Sequence, residues 1–146
     1  MNIDVRQGNL SAEFPKEKGT YALILRCDQP GRVQVGSLGQ LHAAAGWYIY
    51  VGSALGSGGL RGRLAHHLDQ SRTKHWHVDR LKSVMEIDSI WYAVDPAHLE
   101  HAWADAFLSA PGMHVPWPRF GSSDCRCPAH LFFTDTRPDP ALFNLR

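Results

Sequence analysis

The sequence predicts a mixed α/β (α+β) fold in a single domain, and three stretches carry that reading. Residues 46–69, GWYIYVGSALGSGGLRGRLAHHLD, read as a buried strand, a glycine-rich turn and a helix. Residues 19–27 and 85–94 are long aromatic and β-branched runs that suit a pleated surface. Asp95-Pro96 then opens a second helix, with aspartate at the cap and proline at the first helical position. At 146 residues and 44% hydrophobic content, the chain is long enough to bury one core.

Residues 1–18 are polar and unpatterned and contain Pro15, so they read as a loosely held arm. In the first strand, residues 19–27, Tyr21, Leu23 and Leu25 fall on one face and Ala22 and Ile24 on the other. Cys27 reads as a small core residue. Residues 28–31, DQPG, form a turn, and 32–35 with 40–42 form a short hairpin across 36–39. Residues 47–51 are the next strand, on which Tyr48 is expected to face away from Tyr50. Residues 52–59 hold four glycines, which let a backbone approach another group closely. Leu60, Leu64 and Leu68 make the apolar stripe of the following helix, with Arg63 and His67 one turn apart on a neighbouring face. Such a unit suits a bound phosphate.

Residues 74–81 begin a second helix with loose periodicity, and 85–94 form a third long strand. The helix over 96–110 buries Leu99, Trp103, Ala106 and Phe107, and Pro111-Gly112 stops it. Residues 113–118 and 120–127 are loops, 130–134 (HLFFT) a last strand, and 136–146 a tail lying on the surface.

No apolar run is long enough to span a bilayer, and no secretory signal is visible. Three cysteines, an odd number, argue against a disulfide framework and for a reducing, cytoplasmic setting. A net charge of +1 predicts no global attraction to nucleic acid. The distribution is uneven, however: Arg61, Arg63, Arg72, Lys74, Arg80 and Lys82 cluster with His66, His67, His75 and His77, against Asp69 and Asp79 alone. Arg61, Arg72, Lys74 and Arg80 are the candidate DNA-binding cations, with an ordinary solvated helix face as the alternative for Arg72, Arg80 and Lys82.

The strand YVG, the small-residue turn and L-x-x-R-L-x-x-H resemble the second half of the GIY-YIG nuclease motif, on Leu60, Arg63, Leu64 and His67. Gly19-Thr20-Tyr21 resembles the first triplet, with Thr20 and Val51 where isoleucines are usual. The interval between Tyr21 and Tyr50 is longer than in most of the family, and the hairpin at 32–42 fills it. YVGSALG, HWHVD and FGSSDC…C…HLF are similar to one GIY-YIG branch long catalogued as a domain of unknown function. In some proteins that branch is fused to an endonuclease-III-type DNA glycosylase. The resemblance covers 19–133, within a domain drawn at 19–135.

The resemblance implies a small, mainly antiparallel sheet flanked by helices, and a divalent-metal-dependent endonuclease acting on DNA in repair or processing. Two alternatives stay open: a DNA-binding module without turnover, and a structural zinc-binding interaction domain. DNA is the implied partner, joined by a targeting protein. Tyr21 would be the base or water-positioner and Tyr50 its orienting partner. A phenol ionises near pH 10, so this role needs nearby cations. Arg63 would grip the scissile phosphate through its guanidinium. His67 would act as acid or phosphate ligand. Glu100, in the second turn of the 96–110 helix, would hold Mg²⁺ or Mn²⁺, with Asp105 as competitor and Asp124 closing the metal site from the loop that includes Ser122 and Ser123.

A second constellation comes from the residues themselves. Cys125, Cys127 and His130, with His75 or His77, offer the sulfur and nitrogen donors of a structural Zn²⁺. Semi-buried thiols beside a histidine bonded to the backbone are the alternative.

Overall fold

The computed structural model describes residues 2–35, 38–69, 77–118, 120 and 130–145, apart from the side chains of 77, 144 and 145. The expected α+β class is what the chain adopts: one antiparallel sheet with helices on both faces. The strands are β1 (Asp4–Gln7), β2 (Gly19–Cys27), β3 (Gly31–Val35), β4 (Gly39–Ala43), β5 (Gly46–Ala54), β6 (Glu86–Val94) and β7 (Leu131–Thr134). The helices are α1 (Gly59–Leu68), α2 (His77–Leu81) and α3 (Glu100–Ser109), and a 3-10 helix at Pro140–Leu145 follows. The main sheet runs β1-β6-β2-β5-β7, every neighbour antiparallel, while β3 and β4 form a separate hairpin.

The period of two along β2 divides the interior into two cores. Tyr21, Leu23 and Leu25 join Tyr48, Ile90, Leu60 and Leu64 under α1, α2 and the hairpin. Ala22 and Ile24 join Ile49, Val51, Trp91, Trp103 and Phe107 under α3. Thr20 is fully buried on the strand, and its hydroxyl has no hydrogen-bond partner among the described residues.

The structure corrects several expectations. The N-terminal segment is not a loose arm: β1 extends the sheet along β6, and Phe14 is buried against Tyr92. Its backbone also anchors α1, because the Pro15 and Glu17 carbonyls accept from the Arg61 and Leu60 amides. Those amides are among the donors an anion would need at a helix start, so this end does not offer the phosphate cradle the glycines suggested. Gly59 sits at φ +62° against the Lys16 carbonyl, where no side chain fits. The glycine-rich loop is shorter than expected, since β5 continues to Ala54.

Tyr48 and Tyr50 share a face of β5, contrary to the expected opposition, because residues two apart on a strand point the same way. Helix α3 starts at Glu100 rather than at Pro96; Asp95 instead accepts from the Ala97 amide, closing a local turn. Glu100 therefore stands in the first turn. The C-terminal segment is not merely laid on the surface. Phe143 packs its ring against Trp91, Trp103 and Phe107.

Candidate active site

β2 and β5 pair with Tyr21 opposite Gly52 and Leu23 opposite Tyr50, which brings both tyrosines to one end of the sheet face. The glycine has a steric cause. A Cβ at Gly52 would lie 2.5 Å from the Tyr21 Cζ and hydroxyl, so the phenol can cross β5 only where no side chain stands. Helix α1 lies over this face through Leu60 and Leu64, and His67, three residues after Leu64, shares that side and meets the phenol.

The Tyr21 hydroxyl lies 2.7 Å from Nε2 of His67, and Nδ1 of His67 lies 2.9 Å from Oδ1 of Asp79 on α2. All three are buried. His66 Nε2 stands 3.4 Å from the other Asp79 oxygen, and the Lys82 ammonium 3.8 Å from Oδ1. Lys82 also donates to the His67 carbonyl. Burial lowers the His67 pKa below its ordinary value, against the opposing pull of Asp79. The imidazole is thus neutral near neutral pH. Its Nδ1–H faces a carboxylate that can only accept, so Nε2 carries the lone pair that receives the Tyr21 O–H.

Burial pushes the Tyr21 phenol well above its ordinary value, and Tyr50 adds to the rise, while Arg63 opposes it by charge and hydrogen bonding. Burial also raises Tyr50, with Glu100 next in effect and Arg63 again opposing. Both phenols keep their protons near neutrality, so neither becomes phenolate without a nearby proton acceptor.

Arg63, half-buried, donates to the Ser53 carbonyl at 3.0 Å. The Ser53 hydroxyl hydrogen-bonds Glu100, so this residue joins the tyrosine cluster to the acidic one. Oε2 of Glu100 lies 3.0 Å from Nδ1 of His130, and the possible ligand atoms of Glu100, His101 and His130 all fall within 4.8 Å of one another. Burial raises Glu100, but the hydrogen bonds from His130 and Ser53 outweigh it and leave the carboxyl below its ordinary value. An ionised carboxylate beside two imidazoles is a donor set that fits a divalent cation. The 3.0 Å contact is the hydrogen bond from His130 to Glu100, which an ion held between them would replace, with His130 giving up its Nδ1 proton.

A family model described as Domain of unknown function DUF123 matches residues 20–144. The chain belongs to that family. No curated protein and no solved structure matches it.

In this DUF123 chain the structure brings together Tyr21, Tyr50, Arg63 and His67, with Glu100 linked through Ser53. It does not leave Arg61 as an open DNA contact, because its guanidinium is held by the Phe14 carbonyl at 2.8 Å and Glu13 at 3.1 Å. Arg80 is exposed on α2. Arg72, Lys74, His75, Asp124, Cys125 and Cys127 lie outside the described residues, as do Ser122, Ser123 and the His77 side chain. His130, a candidate zinc ligand, has its Nδ1 3.0 Å from Oε2 of Glu100. Asp105 lies exposed on α3 and is not among the three grouped donors.

Sequence reasoning passed over Asp79, Ser53 and His101. Only Asp79 left a signal: an acid amid the clustered cations and histidines between residues 61 and 82. No helix among the described residues is long and apolar enough to cross a membrane.

Proposed function

We propose that this DUF123 domain is a GIY-YIG-type, divalent-metal-dependent endonuclease hydrolysing phosphodiester bonds in DNA. One observation carries the reading: Ser53 connects a tyrosine–histidine–arginine cluster to a carboxylate–imidazole cluster, combining a base, a guanidinium and a metal donor set. Hydrolysis of a phosphodiester needs those three things.

His67 is positioned to take the Tyr21 proton, and Tyr21 in turn to take one from the attacking water. Arg63, permanently charged, would turn from the Ser53 carbonyl to a non-bridging phosphate oxygen. Tyr50, half-buried beside them, orients the water or the phosphate. Glu100, His130 and His101 would hold the ion, which supplies positive charge to the phosphate and to the departing oxygen. Ser53, bonded to Glu100, would hold the carboxylate beside the tyrosine cluster.

The test is a cleavage screen over nicked, flapped, branched and damaged DNA with Mg²⁺ and Mn²⁺. Arg63→Ala and Glu100→Gln are expected to lose about 10²–10³ in rate with little change in binding. Tyr21→Phe loses nearly as much, and chelator abolishes cleavage. DNA bound tightly but never cleaved, with binding lost in Arg63→Ala, would favour the binding-module reading instead.

A further inference from the structure

We infer that Asp79 is a positioning residue, orienting His67 so that its Nε2 serves as proton acceptor for the Tyr21 phenol. This deepens the nuclease reading and rests on it for the reaction, though not for the geometry.

Asp79 is 3% exposed, on a helix of five residues, and neither the phosphate-binding nor the metal-binding roles require it. An acid is buried at a cost unless donors meet it, and here nitrogens from three side chains do. The shortest contact is to Nδ1 of His67, at 2.9 Å. An imidazole that gives its Nδ1–H to a carboxylate must present a bare Nε2, and among the described residues the hydroxyl at that nitrogen is that of Tyr21, at 2.7 Å. The alignment of hydroxyl, imidazole and carboxylate follows the logic of nucleophile–histidine–aspartate triads, with a phenol in place of serine.

The proton inventory balances. The Tyr21 O–H bond breaks as its proton passes to Nε2, giving phenolate and an imidazolium still bonded to Asp79. The phenolate removes a proton from water, and the resulting hydroxide attacks phosphorus as the leaving oxygen departs. That oxygen takes up one proton and His67 releases one, so protein and solvent together gain none.

Other groups around His67 act on the same equilibrium. Arg63 and His66 on α1 oppose its protonation. Tyr21 on β2 and Tyr50 on β5 face its ring, and Lys82 after α2 holds its carbonyl. Asp79 is the sole acidic group in direct contact with the ring among the described residues, so its neutralisation should disfavour imidazolium.

The test uses the full chain. Nitrogen-15 NMR of the wild type is expected to report the Nδ1–H tautomer of His67, and Asp79→Asn to shift it toward Nε2–H. In cleavage, Asp79→Asn is expected to lower kcat by about 10²–10⁴ with KM nearly unchanged. Asp79→Glu should recover part of that rate, and the acid limb of the pH profile should move in step with the His67 titration. A wild-type His67 protonated at Nε2 would overturn the proposal without any variant. So would a folded Asp79→Asn protein cleaving at the wild-type rate and pH profile. If no DNA is cleaved at all, the nuclease reading fails, while the tautomer measurement still decides whether Asp79 orients His67.

Discussion

At residue scale, the fit between Tyr21 and Gly52 shows why a glycine closes the triplet Tyr50-Val51-Gly52. The phenol is fully buried and bonded to His67, so it cannot swing aside for a new methyl group. Gly52→Ala is expected to cost about 1–3 kcal/mol as overpacking, and to lower cleavage further by displacing the hydroxyl. Thermal denaturation and a cleavage assay on the same preparation measure the two effects. Tyr48→Phe is the matched control. Its hydroxyl is bonded to the Ala44 carbonyl, and burial pushes its pKa up to about 12. Loss of that bond should cost about 1 kcal/mol and leave cleavage intact. The control works because that hydroxyl is committed elsewhere, since Tyr48 and Tyr50 share a face.

At the scale of elements, two helix starts divide the work. The first amides of α1 are taken by the N-terminal segment, so α1 contributes side chains rather than its dipole end. The start of α3 instead presents Glu100 and His101 toward His130, just before β7. Imidazole nitrogens add to the affinity for Mn²⁺ or Zn²⁺ but little to that for Mg²⁺, which prefers oxygen ligands and retains water. Calorimetry is therefore expected to show Mn²⁺ bound more tightly than Mg²⁺. His101→Ala should narrow that difference, and equal affinities in the wild type would remove the histidines from the site. The same element scale explains what sequence periodicity captured. The Leu60–Leu64–Leu68 and Trp103–Ala106–Phe107 stripes follow from the helical repeat alone. Helix α3 starts later than the Asp95-Pro96 pair predicts, because the Asp95 carboxylate caps a turn as readily as a helix.

At the scale of the whole molecule, groups held neutral by burial set a pH window for stability. His67 has a lowered pKa when folded, so unfolding takes up a proton once the pH falls below about 6.5. Stability should decline on that acid side. Tyr21 and Tyr50 have raised values, so unfolding releases protons above about pH 10, and stability should decline there too. A melting-temperature series across pH is expected to plateau between these limits. His67→Gln should flatten the acid decline, and Tyr50→Phe part of the alkaline one.

The sequence by itself determined most of the elements and most of the candidate site residues. Strand alternation, leucine spacing and the order of the two triplets are local properties, set by backbone geometry over a few residues. Together with the resemblance to the GIY-YIG motif, they named Tyr21, Tyr50, Arg63, His67 and Glu100 as candidates. Partners were decided only by tertiary structure, because hydrogen bonds between distant segments leave no periodic trace. The pairing of β2 with β5 laid Tyr21 over Gly52, and the return of α2 beneath α1 brought Asp79 to His67. The same physics turned His130 toward Glu100 and tied Arg61 to the N-terminal segment. Burial completes the contrast: a histidine or tyrosine in a sequence has its ordinary pKa, and it is moved by the desolvation, charges and hydrogen bonds of the folded core, with burial the largest cause at Tyr21, Tyr50 and His67.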